Sequence, residues 1–187
     1  FNNDFTIDYW IRTDGSGNSH GYGIWHKGIA NVGFDNWFGW HGSQSTYKIY
    51  TDGGTVTLGG SGPHLADQQW HHVALVREGN NYRQFVDGTF YHAQNESGTI
   101  YNNGEKIKIG NSLTNGSGPI NGWLQDFRIS TIARWTGTDN FTPPTTQAVK
   151  DANTQLLIQS VNMADGSTEF NDPGTTSTIA NTTGTLV

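Results

Sequence analysis

The chain has 187 residues, 33% of them hydrophobic and 12% aromatic, and its 16 acidic and 10 basic side chains give a formal net charge of −6. This is the composition of one globular domain, and the excess of acids without a basic cluster argues against nucleic acid as a partner. No apolar run approaches the roughly 18 residues of a membrane span, and the absence of cysteine excludes disulfides and cysteine-ligated zinc.

Apolar residues recur in short alternating runs, and no stretch of ten or more residues has helical spacing. The 25 glycines interrupt these runs, as expected for tight turns between short strands. We therefore predict an all-β protein, either a sandwich or a jelly roll. In chain order the predicted strands are 4–13, 21–28, 36–41, 46–52, 54–59, 70–77, 82–86, 89–94, 105–111, 120–131 and 153–160, followed by a threonine-rich tail over 175–187.

The segment QWHHVALVREGNNYRQFVDGT (69–89) predicts a three-strand meander with turns at 79–81 and 87–88. Its first strand is apolar on both faces, which is typical of a central strand covered on both sides. We expect a core that includes Trp70, Val73, Leu75, Phe85, Trp123 and Phe127.

The adjacent His71 and His72 point to opposite faces of a strand, so they cannot chelate one ion. We predict packing roles for both, with ring nitrogens hydrogen-bonded to neighbours. The sequence has no HExxH, His-x-His or GxSxG motif. We therefore predict no catalytic residues and expect that the protein is not an enzyme.

Five motifs resemble one family when they are taken in order: DFTIDYWIRT, the 69–89 segment, IKIGN, NGWLQDFRIS and ARWTGTDNFTPPT. Over about residues 4–146 the chain resembles the laminin G-like, concanavalin A-like jelly-roll domains, and above all the variety found in phage and virion structural proteins. The resemblance implies two stacked antiparallel sheets. The Glu-x-Asp-x-x-Glu strand of the related glucanases is absent, in keeping with a noncatalytic domain.

The C-terminal part of the chain is similar to the opening strand and turn of such a domain, although here it follows the last motif. We predict a jelly-roll domain over 1–146. Residues 147–187 would form a linker plus one or more strands that complete the sandwich or begin a tandem domain. The run TQLLIQS is expected to pair in a jelly-roll sheet, within its own chain or with a neighbouring copy.

The resemblance also implies a cofactor, because such domains often hold a structural Ca²⁺ through an aspartate of the last strand. Asp126 is the first candidate ligand, while Asp4 and then Asp8 on the opening strand are weaker ones. The other interpretation of Asp126 is an ion pair with Arg128, which lies two residues further along the strand.

Aromatic residues are dense between positions 25 and 50. Each of them could pack in the core, but a flat exposed ring could also stack on the apolar face of a sugar. The glycan-binding candidates are Trp25, Trp37, Trp40, His41 and Tyr50.

These observations favour a glycan-binding or adhesion module of a phage virion surface or appendage protein, located on the virion or outside cells. Its partners would be glycans or other virion subunits, with a homo-oligomer as one option and no nucleic acid or membrane. The first alternative is a purely structural virion domain that acts through protein contacts, and the second is a polysaccharide-degrading enzyme of the same fold.

Overall fold

The computed structural model of the chain describes residues 1–13, 22–29, 32–38, 45–60, 62–101, 104–110 and 118–159. This part of the chain consists of strands and loops, and no helix in it is long and apolar enough to span a membrane. The strands are β1 (Phe5–Thr13), β2 (Tyr22–Ile29), β3 (Val32–Phe38), β4 (Ser45–Tyr50), β5 (Thr55–Leu58), β6 (His71–Glu78), β7 (Asn81–Val86), β8 (Thr89–Asn95), β9 (Ile107–Ile109), β10 (Gly118–Pro119), β11 (Gly122–Ser130) and β12 (Thr154–Ile158).

Two sheets face each other, as the alternating pattern predicts. The first sheet has the order β12-β11-β1-β6-β7-β8. The second has the order β10-β2-β3-β4-β5, with β9 also paired to β2. All pairings are antiparallel except the short parallel contact between β10 and β2. The predicted meander is confirmed as β6, β7 and β8, with β6 in the interior of the first sheet.

The main core lies between the sheets and takes one face of each. Val73, Leu75 and Phe127 are buried there, as predicted. At its centre the hydroxyls of Tyr9 and Tyr47, one from each sheet, lie 3.3 Å apart. The largest fully buried side chains are Trp25, Tyr9, Tyr47, Tyr82, Phe85, Phe127, Ile7, Ile11, Ile24, Ile49 and Leu58.

A second, smaller apolar cluster lies on the outer face of the first sheet. Ala74, Val76 and Phe85 point outward there and are fully buried, with Trp135 and Phe141 among the residues that pack on them. Trp135 and Phe141 belong to the segment after β11, which crosses over this part of the sheet. The prediction that β6 is covered on both faces is therefore confirmed.

Two of the six predicted core residues are not buried. Trp70 is 40% exposed and Trp123 is 56% exposed, although both sequence patterns indicated burial. Both lie on the outer face of the first sheet, toward the end that the segment after β11 does not cover. Alternation assigned these side chains to a face, but a distant segment of the chain determines which part of that face is shielded from water.

A β-bulge in β11 changes which residues pair across the first sheet. The register between β1 and β11 shifts between Asp8 and Trp10, and Asp126 has a φ of 52° at this point. Beyond the bulge, Asp8 lies opposite Arg128 and accepts hydrogen bonds from its Nε at 3.0 Å and its Nη2 at 2.8 Å. The ion pair expected between Asp126 and Arg128 is therefore wrong, because Arg128 is paired with Asp8.

The C-terminal strand pairs within its own chain. β12 is antiparallel to β11, with Leu157 opposite Arg128 and Thr154 opposite Ser130. Leu157 is fully buried. This confirms that TQLLI joins a sheet of the sandwich. The division into a 1–146 domain and a 147–187 segment stays a prediction, and the threonine-rich tail lies outside the described residues.

Candidate functional site

A row of polar residues crosses the outer face of the second sheet. Strand pairing places Lys108 of β9 opposite His26 of β2, His26 opposite Asp35 of β3, and Asp35 opposite Lys48 of β4, which in turn lies opposite Thr57 of β5. Directly opposed residues project to the same face of a sheet with their Cβ atoms about 5 Å apart. We refer to Lys108, His26, Asp35, Lys48 and Thr57 as the polar row.

The polar row combines buried and exposed groups. His26 is 3% exposed and Asp35 is 5% exposed, whereas Lys108 and Thr57 at its ends are open to solvent. Burial lowers the pKa of His26, the positive charge of Lys108 adds to this effect, and the carboxylate of Asp35 opposes it. The imidazole is therefore neutral at pH 7 and offers one donor and one acceptor nitrogen. Its buried Nδ1 has no hydrogen-bond partner among the described residues.

A second row of paired residues lies beside the polar row and contains one aromatic residue and two glycines. Tyr50 of β4 is opposite Gly33 of β3, which is opposite Gly28 of β2. Tyr50 is half-buried, and both burial and the charge of Asp35 raise its pKa. Gly28 and Gly33 have φ values of 131° and 87°. A Cβ at either position would overlap the backbone of the partner strand, so the sheet must remain without side chains there. Gly28 and Gly33 are both buried, so the Tyr50 ring is the accessible part of this second row.

The predicted aromatic candidates have different positions. Trp25 is fully buried and packs against Phe34, Tyr47 and Phe127, so the expectation that its indole faces a sugar is corrected. The cause is a register shift in β2 between Gly23 and Trp25 that turns Trp25 toward the core.

Tyr50 is the candidate whose placement fits a surface role. Trp37 lies in β3, paired with Gly23 and Thr46, and its side chain lies outside the described part of the structure. Trp40 and His41 also lie outside the described residues.

The adjacent histidines have structural partners, as predicted, although the buried Nδ1 of His72 has none among the described residues. His71 Nδ1 is 2.7 Å from Asp87 Oδ2, and its Nε2 is 3.0 Å from Asp67 Oδ1. His72 projects to the other face of β6, where its Nε2 is 3.3 Å from Asp8 Oδ2 and its ring contacts Trp10 and Trp135. No group of three potential metal-binding side chains is present among the described residues.

The candidate calcium ligands do not form a fitting site in the described part of the chain. Asp126 Oδ1 accepts a hydrogen bond from Gln159 Nε2 at 2.6 Å, and its Oδ2 accepts one from Ala148 N at 3.1 Å. Asp4 Oδ1 accepts one from Gly79 N at 2.8 Å at a different position, the turn between β6 and β7. Calcium requires six to eight oxygen ligands, whereas these neighbours present N–H donors. Asp126 is better explained as a hydrogen-bonded structural carboxylate.

Sequence reasoning missed all five residues of the polar row. Its members are two lysines, a histidine, an aspartate and a threonine from five strands, and no local motif connects them. The outward positions within one strand follow from alternation, as in TYKIY (46–50). The alignment of the five strands depends on register, which the sequence does not reveal. Register is therefore what brings the row together.

Comparison with known families places most of the chain in one of them. The sequence model of a laminin G-type family, described as the concanavalin A-like lectin/glucanases superfamily, matches residues 1–136. No curated protein sequence matches the chain significantly.

Several solved structures share the fold at low sequence identity. A candidate carbohydrate-binding protein from Bacteroides ovatus is 16% identical, with a TM-score of 0.62 over 92% of this chain and 50% of that one. The LG4-5 domains of the mouse laminin α1 chain are 15% identical, with a TM-score of 0.54 over 77% of this chain and 42% of that one. Botulinum neurotoxin type C, whose cell entry depends on two ganglioside molecules, is 16% identical, with a TM-score of 0.50 over 70% and 33%. The chain spans half or less of the length of these structures.

Proposed function

The chain belongs to the laminin G-type family of the concanavalin A-like lectin/glucanases superfamily, and from this membership we propose that it is a noncatalytic glycan-binding module that acts in adhesion. The family and the fold alone do not select this function, because one fold hosts many activities. The observation that carries the proposal is the polar row with the Tyr50 ring beside it.

The chemistry of this face suits a neutral sugar. The half-buried Tyr50 ring offers an apolar surface on which one side of a pyranose can lie. The accessible members of the polar row, Lys108, Lys48 and Thr57, supply amine and hydroxyl groups for sugar hydroxyls, while the buried His26 and Asp35 lie between them.

The same face argues for binding without hydrolysis. Glycoside hydrolysis in most families uses two carboxyl groups on either side of the scissile bond, about 5–9.5 Å apart. The five residues of the polar row include a single carboxylate, Asp35. Within the row a bound polysaccharide meets this one carboxylate; that of Glu105, which acts on the pKa of His26, lies outside the row.

The biological setting is the finer part of the proposal. The order of motifs along residues 4–146 resembles that of virion structural proteins, so we place the module on a virion surface or appendage. Other virion subunits, including further copies of this chain, would then be its neighbours. An antibody against the domain should label intact particles in electron micrographs. This setting is contradicted if intact particles stay unlabelled and the protein is also absent from disrupted particles.

A glycan array tests the binding function. Wild-type protein, Tyr50→Ala, Lys108→Ala and the surface control Val149→Ala are applied with and without EDTA, since Val149 is 78% exposed and lies away from the polar row. We expect saturable binding to a defined glycan set that Tyr50→Ala weakens by about tenfold, or about 1.4 kcal/mol. The Val149→Ala control should bind like wild type, and EDTA should have no effect.

Three results would contradict the proposal. A blank array with symmetric self-assembly would favour the structural domain. Release of reducing sugar from a polysaccharide would favour the enzyme. Glycan binding that both Tyr50→Ala and Lys108→Ala leave unchanged would show that the polar row is not the site.

A further inference from the structure

A second surface, on the opposite sheet, also has the character of a binding site. The outer face of the first sheet is covered at one end, where Trp135 and Phe141 pack on Ala74, Val76 and Phe85. At the other end, where β1 and β11 pair near Thr13 and Gly122, Trp70 and Trp123 are 40% and 56% exposed.

Arg12 lies between the two exposed tryptophans. The register pairs Arg12 with Trp123 on one side. On the other side Ile11 pairs with His71, so Trp70, the residue before His71, lies beside Arg12. The Arg12 guanidinium carbon is 5.2 Å from the centroid of the Trp123 ring. We refer to Trp70, Arg12 and Trp123 as the tryptophan–arginine surface.

The Arg12 guanidinium is held in place with one edge unused. Its Nε donates a hydrogen bond to the carbonyl oxygen of Gln68 at 2.9 Å. Gln68 has a φ of 65° and donates its own N–H to Thr13 O at 3.0 Å, so this loop is fixed to the end of β1. The two terminal nitrogens of Arg12 take part in no hydrogen bond that the described residues form. A stacked guanidinium with its terminal N–H groups available is the geometry that binds a carboxylate in a bidentate manner.

Among the described residues, the acidic groups near this cation have other partners. Asp67 lies shortly before Trp70 in the sequence, and Asp87 lies in the turn between β7 and β8. Both carboxylates are hydrogen-bonded to the His71 ring. The clamp formed by His71, Asp67 and Asp87 lies on the face of β6 opposite to Trp70, because neighbouring strand residues project to opposite faces. Asp8, two pairs further along β1, is occupied by Arg128.

We propose that the tryptophan–arginine surface is a second glycan-binding site and takes a carboxylated sugar, a uronic or sialic acid unit of an acidic polysaccharide. Indole rings stack on the apolar face of a sugar, and the guanidinium fork fits its carboxylate. A polyphosphate chain such as nucleic acid would need several cations, whereas this surface offers one arginine on a protein of net charge −6. The proposal goes beyond the polar row, which faces away on the other sheet.

Affinity electrophoresis tests the proposal with defined polymers. The probes are polygalacturonate, hyaluronan and polysialic acid, together with carboxyl-reduced polygalacturonate as the neutral match. The variants are Trp123→Ala, Arg12→Gln and Arg12→Lys, with Tyr50→Ala, beside the polar row, as the control for the other sheet. Because Trp123 is mostly exposed, its variant should fold, and the thermal midpoint of each variant confirms this.

We expect at least one acidic polymer to retard the wild-type protein and the reduced polymer to lose this effect. Trp123→Ala and Arg12→Gln should each weaken binding at least tenfold. Arg12→Lys should weaken it nearly as much, because an ammonium group cannot form the two parallel hydrogen bonds. Tyr50→Ala should bind the acidic polymer like wild type.

The outcomes separate this inference from the proposed function. No retardation by any of the three acidic polymers, or equal retardation by the reduced polymer, would overturn the inference. Loss of binding in Tyr50→Ala alone would assign the polymer to the polar row, which overturns the second site but leaves the proposed function intact. Loss in Trp123→Ala and Arg12→Gln alone would establish the second site whether or not the polar row binds a glycan.

Discussion

The buried ion pair between Asp8 and Arg128 gives the sharpest test of the structure. Asp8 is 3% exposed and Arg128 is 7% exposed, and two hydrogen bonds of 3.0 and 2.8 Å join them. His72 Nε2 lies 3.3 Å from the same carboxylate, and its ring contacts Trp135 and Phe141 of the covering segment. The pair is therefore enclosed on the outer face of the first sheet, with little water to compensate the loss of either charge.

Replacing Asp8 by Asn keeps the shape of the side chain and removes its charge. Removing one partner of a buried pair costs about 3–5 kcal/mol, because the remaining charge is left without compensation. In a protein of this size 1 kcal/mol corresponds to about 2–4 °C, so Asp8→Asn should lower the thermal midpoint by about 6–20 °C. The matched control is Glu78→Gln. Glu78 forms a 2.7 Å bridge to Arg83 but its side chain is 36% exposed, so the expected cost is at most about 1 kcal/mol.

Thermal unfolding monitored by circular dichroism measures both variants, and the double variant Asp8→Asn/Arg128→Met isolates the coupling. Removing the cation as well should recover part of the loss, because no uncompensated charge then remains. The reasoning is refuted if Asp8→Asn and Glu78→Gln shift the midpoint equally. It is also refuted if the loss in the double variant equals the sum of the losses in Asp8→Asn and in the single variant Arg128→Met, measured in the same way.

Three further predictions concern stability. Deletion of residues 151–187 removes β12 with the fully buried Leu157. The domain should then unfold, or its thermal midpoint should fall by more than 10 °C, about 3 kcal/mol or more. An unchanged thermal midpoint would show that β12 does not support the sheet. The pKa of His71 is raised, chiefly by its hydrogen bond to Asp87, so its stabilisation is complete below the unfolded pKa of about 6.5 and is lost as pH rises through the folded value. The midpoint difference between wild type and His71→Gln should therefore shrink from pH 6 to pH 9 in calorimetric scans, and a constant difference would contradict the clamp. Gly88 has a φ of 74°, and a Cβ there would overlap Phe141 O, whereas Gly79, with a φ of 57°, has nothing within 4 Å. In urea titrations Gly88→Ala should therefore lower the free energy of unfolding by more than the about 1–2 kcal/mol expected for Gly79→Ala. Equal losses would show that Phe141 can move away.

Much of the fold could be predicted from the sequence because its signals are local. The alternation along 70–77 and the turns at 79–81 and 87–88 define the meander, and each lies within a few residues of the groups that it positions. The alternation of Leu and Ile in TQLLIQS indicated a strand that needs a partner, and β11 provides one. The family motifs follow in order along the same stretch that the family model matches.

Less of the candidate site could be predicted, because its parts come together by register. Tyr50 was found from its aromatic ring alone. His26 and Asp35 were not, since each looks like an ordinary strand residue until the pairing of β2 and β3 places them side by side. Trp25 was assigned to a sugar surface because the shift in register after Gly23 cannot be seen in the sequence.

The sequence by itself determined that this protein is an all-β sandwich without cysteine chemistry and with a strand near its C-terminus that must pair. These properties follow from residue types and from spacings of two to four positions. Only the tertiary structure decided which outward faces meet solvent. Trp70 and Trp123 are exposed while Ala74 and Phe85 on the same face are buried, because the segment after β11 covers only one end of the sheet. Likewise, a bulge of one residue at Asp126 decided that Arg128 binds Asp8. Successive side chains on a strand point to opposite faces, so one extra residue changes which residues pair beyond the bulge.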